Sequence, residues 1–140
     1  MDTQRLRREH GALLRFASQL TGLAATLKTR ADAVECRAIM DGINTQMVSH
    51  LTVEDDDVYP ALMASPDPSL QALAREAFAE MGVIHGGWTA YRDLWTVDRI
   101  VQDKGGFSTA TAALMKALSL RIAMENEILY PALERATETK

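Results

Sequence analysis

Apolar residues recur every three or four positions through most of this chain, and nowhere do they alternate with polar ones over a strand's length. The pattern predicts helices over roughly residues 3–28, 32–63, 69–102 and 108–135. The breaks are "KTRAD" (Lys28–Asp32), "SPDPS" (Ser65–Ser69) and "DKGGFS" (Asp103–Ser108), the last with Ser108 placed to cap a helix. Connections this short join antiparallel neighbours. The expected fold is therefore all-α, an antiparallel up-down-up-down four-helix bundle forming one domain over 1–140. Its two hairpins cover about 3–63 and 69–135.

The chain also repeats itself. "HLTVEDDDVYPAL" (His50–Leu62) returns 71 residues later as "RIAMENEILYPAL" (Arg121–Leu133), matching Glu54 to Glu125 and His50 to Arg121. Each copy carries a Tyr-Pro pair, and Pro60 and Pro131 should kink or end their helices because proline lacks the backbone donor. A second resemblance links "HGALLRFA" at His10 to "HGGWTAYR" at His85, with Phe16 and Tyr91 in matching places.

Core-facing stripes can be drawn on each helix. They run through Leu6, His10, Leu13, Ala17 and Leu20, and then through Cys36, Met40, Ile43, Met47, His50, Glu54, Val58 and Ala61. The third takes Ala77 or Phe78, Met81, His85, Trp88 and Trp95. The fourth takes Thr111, Leu114, Leu118, Arg121, Glu125, Ile128 and Ala132. A single buried histidine is usually only a hydrogen-bonded core residue. Three histidines and two glutamates on four such stripes are harder to bury, because each charge costs kilocalories unless it is paired or bound to a cation. Histidine and glutamate at i and i+4 lie one above the other and can converge on one ion. A metal site accounts for the pattern better than a polar core does.

His10, the His50–Glu54 pair, His85 and Glu125, with Tyr-Pro after each acidic residue, resemble the haemerythrin family in its HHE cation-binding branch. The resemblance covers about residues 3–134. It implies a four-helix bundle with a non-haem di-iron centre, His10 and His50 on one iron, His85 on the other, and Glu54 and Glu125 bridging. The family's fourth-helix histidine falls at residue 121, which is Arg121, and a guanidinium has no lone pair to give a metal. One iron per chain is thus expected ahead of two or none, with Arg121 compensating charge by pairing with Glu125 or Glu54. Asp55 and Asp57 are candidates for further oxygen ligands, while the rest of "EDDD" reads as a solvated face. The resemblance further implies oxygen, nitric oxide or redox sensing, or iron handling, ahead of substrate turnover. Two alternatives stand: a metal-free regulatory bundle that binds a protein partner through Trp88 or Trp95, or forms a homodimer, and an enzyme using an open mononuclear iron.

Composition removes other classes. With 47% hydrophobic and 24% charged residues, a net charge of −4 and a pI near 5.3, the chain lacks the basic surface that nucleic acid or anionic membrane would need. No apolar run is long enough to span a bilayer, and the N-terminus has no secretory pattern. The lone Cys36 reads as a buried small hydrophobe in a reduced, cytoplasmic protein. No phosphate loop, nucleophile elbow or Ser-His-Asp arrangement is present, so any catalysis would be metal-borne. Gly82, Gly86 and Gly87, near His85, suggest close helix approach or local mobility.

Overall fold

The computed structural model describes residues 3–138. Helix α1 spans Gln4–Thr26. Helix α2, Arg30–Val53, runs through a π turn at Glu54–Val58 into α3, Tyr59–Met63. Helix α4 covers Pro68–Leu94 and α5 covers Val97–Gln102. Helix α6, Lys104–Met124, passes through a second π turn at Glu125–Leu129 into α7, Tyr130–Glu138. The fold is an all-α antiparallel bundle of four rods, with α1 packed along α2 and α6, and α4 along α3 and α6. Among the described residues no helix is long and apolar enough to cross a membrane.

Side-chain caps fix the helix starts. Helix α2 begins at Arg30, not Asp32, because Thr29 and Asp32 form a reciprocal capping box. The third rod is two helices where the sequence suggested one, since the Thr96 hydroxyl accepts the Arg99 N–H and starts α5 afresh. The cap of the fourth rod is Asp103 and not Ser108. Its carboxylate accepts the Gly106 N–H at 2.9 Å, and a Cβ at residue 106 would collide with it.

Two apolar clusters make the core. One holds Leu13, Met40, Ile43, Trp88, Phe107 and Leu118; the other holds Leu6, Val58, Leu62, Ala77, Leu129 and Leu133. On α1, α2, α6 and the two π turns the buried polar residues His10, His50, Glu54, Arg121 and Glu125 lie between members of the two clusters. Trp88 and Trp95 are buried in the first cluster, so neither offers the exposed partner surface considered from sequence. Gly82 and Gly86 have no neighbour a Cβ would meet, so no close helix approach requires them.

The prolines open the helices without ending them. In each π turn the tyrosine N–H reaches five residues back, Tyr59 to the Glu54 carbonyl and Tyr130 to that of Glu125. The wider turn absorbs the donor that Pro60 and Pro131 lack. It also changes the buried face. Residues five apart lie about 140° apart around an α-helix, yet here Glu54 and Tyr59, like Glu125 and Tyr130, are both buried. The extra residue in the turn turns Ile128 outward to 51% exposure, contrary to the regular stripe, and brings in Leu129 and Leu133.

Candidate metal centre

His10 from α1, His50 from α2, and Glu54 and Glu125 at the starts of the two π turns converge in the polar layer. All four are buried, and one ligand-type atom from each lies within 4.8 Å of the others. His10 Nε2 stands 2.9 Å from His50 Nε2 and 2.8 Å from Glu125 Oε1. His50 Nε2 contacts Glu54 Oε1 and lies 3.7 Å from Glu125 Oε1. Donors bound to one ion at about 2.0–2.2 Å stand roughly 3 Å apart when adjacent, which matches these separations.

The outer nitrogens set the state of the inner ones. His50 Nδ1 faces the Glu9 carboxylate at 3.2 Å, which can only accept, so Nδ1 carries a proton. His10 Nδ1 donates to Asn126 Oδ1 at 2.8 Å. Neutral imidazoles held this way turn both Nε2 lone pairs toward the centre, the arrangement that orients metal-binding histidines. Two lone pairs at 2.9 Å beside two carboxylates require a cation or added protons. Glu125 Oε2, moreover, is buried with no hydrogen-bond partner among the described residues. Without a metal the centre holds a proton instead. Burial opposes charge on His50, but its hydrogen bonds to Glu125 and Glu54 prevail and raise it to about 10. Burial pushes Glu54 up. It would do the same to Glu125, but hydrogen bonds from His10 and His50 draw that carboxylate down to about 2.

The tyrosines of the two Tyr-Pro pairs complete the layer; from the sequence they served as helix punctuation and as part of the family motif, not as site residues. Tyr59 Oη donates to Glu54 Oε2 at 2.8 Å. Tyr130 Oη sits 3.2 Å from His10 Nε2, 3.1 Å from His50 Nε2 and 3.4 Å from Glu54 Oε1. Burial and the nearby carboxylates hold both phenols well above the ordinary tyrosine range. Their occurrence in both repeat copies, five residues after each glutamate, was the available signal. Glu9 and Asn126, each next to a site residue in sequence, carried no signal of their own.

Four residues expected at or near the site stand elsewhere. His85 is exposed; it borders a recess of about 130 Å³ with Asp55, Tyr59 and Met81. The third rod buries Ala74, Ala77, Met81, Trp88, Tyr91 and Trp95, with Ile84 partly buried in phase, and His85 falls one residue outside that series. Asp55 and Asp57 are exposed. Arg121 is buried but pairs with Glu80 of α4, not with Glu54 or Glu125, and its Nη2 contacts Met124 Sδ. No partner among the described residues reaches its Nε.

A single register unifies both halves. The buried positions Leu6, His10, Ala17, Leu20 and Ala24 return 71 residues later as Ala77, Met81, Trp88, Tyr91 and Trp95, the offset that carries His50 to Arg121 and Glu54 to Glu125. The counterpart of His10 is therefore Met81, not His85. The second half keeps its glutamate and tyrosine but replaces both histidines, by Met81 and Arg121.

A bundle of antiparallel helical rods with a buried His2Glu2 layer belongs to the class of helical proteins whose cores fit a non-haem metal ion. The family model for the Hemerythrin HHE cation binding domain matches residues 1–133, and the chain belongs to that family. No curated protein and no solved structure matches it significantly.

Proposed function

We propose that this protein binds one metal ion, iron, through His10, His50, Glu54 and Glu125, and that the redox or small-ligand state of that ion is its output. The observation carrying this reading is the shortage of hydrogen-bond donors in the buried layer. Two inward lone pairs, two carboxylates and the partnerless Glu125 Oε2 are served by few protons, and a divalent or trivalent cation satisfies them together. Imidazole with carboxylate oxygen and no thiolate suits iron and its neighbours in the first transition row. One ion is favoured over two because Met81 and Arg121 occupy the histidine positions of the second half. We infer oxygen or nitric oxide as the ligand, a reading supported by membership of the family and by the positions the protein would leave open on such an iron.

The test is metal stoichiometry by mass spectrometry after anaerobic loading with ferrous iron. One iron per chain is expected, lost in His50→Ala. A wild-type protein that retains no metal after loading overturns the reading.

A further inference from the structure

We propose that Tyr130 is a further metal ligand, its phenolate oxygen completing a five-donor set with His10, His50, Glu54 and Glu125. This rests on the metal-binding reading above and deepens it, because nothing in the Tyr-Pro motif alone marks the residue as a ligand.

A phenol has one hydrogen to donate, and a directed bond between hydroxyl and acceptor is about 2.7–2.8 Å. The other buried tyrosines make such bonds, Tyr59 to Glu54 at 2.8 Å and Tyr91 with Thr111 at 2.6 Å. Tyr130 does not. Its oxygen stands at 3.1 and 3.2 Å from two imidazole nitrogens and at 3.4 Å from a carboxylate oxygen, none of them at that distance. These are the three atoms that His10, His50 and Glu54 turn toward the centre. Near-equal separations of roughly 3 Å are the edges of a coordination polyhedron with bonds of about 2.0–2.2 Å.

The ring is held in that position from several sides. Tyr130 is fully buried, it stacks on the His10 ring at 5.3 Å and 15°, and the Arg7 guanidinium lies 5.6 Å over its face. Arg7 also donates to the Asn126 carbonyl, tying α1 to the π turn that sets the direction of Tyr130. The repeat explains why only one tyrosine is used. Tyr130 belongs to the second copy but reaches the histidines of the first. Tyr59 borders the recess with Met81, the residue that stands at the repeat position of His10, and hydrogen-bonds Glu54 instead. A bound metal would take the Tyr130 oxygen as phenolate, the O–H bond giving way to the oxygen–metal bond and the proton passing to solvent.

The experiment loads the full chain with ferrous iron anaerobically and oxidises it with ferricyanide. Iron content, the visible spectrum and resonance Raman spectra excited in the visible band are then recorded. Phenolate bound to ferric iron gives a visible charge-transfer band whose excitation enhances tyrosine ring modes. The expected result is that band in the wild type, its loss in Tyr130→Phe with iron still bound, and its survival in Tyr59→Phe. Wild-type protein that holds ferric iron without phenolate modes overturns the proposal and leaves the metal-binding reading standing. Wild-type protein that takes up no iron overturns both. Should Tyr130→Phe lose its helical circular dichroism or its iron, the wild-type Raman spectrum alone decides, because ring modes shifted by ring-deuterated tyrosine require a bound phenolate.

Discussion

Tyr59→Phe tests the polar layer with the least disturbance. The substitution keeps the ring, leaves no cavity to collapse, and removes only the hydroxyl that donates to Glu54 Oε2 at 2.8 Å. Glu54 is fully buried, so water cannot replace the lost donor. A hydrogen bond to a charged group is worth about 1.5–3 kcal/mol, and stranding a buried acceptor takes the loss toward the upper end. At roughly 2–4 °C per kcal/mol for a chain of about this size, the metal-free protein should melt on the order of 6 °C lower. Removing a group that orients a ligating carboxylate weakens metal binding by about 10–100-fold. The assay is thermal unfolding by circular dichroism with and without metal, beside a competition titration with a chelator. Tyr91→Phe is the control. It removes a buried hydroxyl bonded to Thr111 in the apolar cluster, away from the centre, and should lower the melting temperature without changing metal affinity. If Tyr59→Phe melts within about 1 °C of wild type, or loses stability while binding metal normally, the Tyr59 hydroxyl does not support the Glu54 carboxylate as argued.

The repeat register predicts that neither Arg121→His nor Met81→His alone raises the metal content, whereas the double variant takes up a second ion. A second metal in Arg121→His alone, read by mass spectrometry, would show the register to be wrong. His85→Ala should leave stoichiometry and affinity unchanged in the same chelator titration, because His85 is exposed outside the cluster. In the metal-free protein His50 is raised from 6.5 to about 10, so its stabilising contribution is complete below pH 6.5 and is lost as pH rises through 10. Glu125 is lowered from 4.5 to about 2, so its contribution is present above pH 4.5 and is lost as pH falls through 2. The melting temperature of the metal-free protein should therefore fall between pH 6.5 and 10, and metal loading should flatten that slope by displacing the His50 proton. Calorimetric titration in two buffers of different ionisation enthalpy should register proton release near pH 7, and its absence would contradict a protonated His50.

Helical periodicity and short connections were enough to determine the bundle, because a 3.6-residue apolar repeat has few ways to be buried. The i, i+4 spacing likewise placed His50 and Glu54 on one face, and the repeated motif brought Glu125 to the same layer. The sequence located the breaks at Pro60 and Pro131 but could not decide what form they take. Pro60 and Pro131 each insert a π turn, and only that wider turn puts Glu54 beside Tyr59 and Glu125 beside Tyr130, five residues apart yet on one side. His85 looked like a site residue because it begins a motif like the one at His10. Packing chose Ile84, its neighbour and the residue in phase with Met81 and Trp88, and left the imidazole in solvent. The partner of Arg121 was equally a tertiary matter. A long guanidinium side chain can reach several carboxylates, and the approach of α4 placed Glu80 within its reach instead of the glutamates of the centre. Local periodicity sets which residues a helix buries, but the side-chain partners across the core are fixed only when neighbouring helices meet.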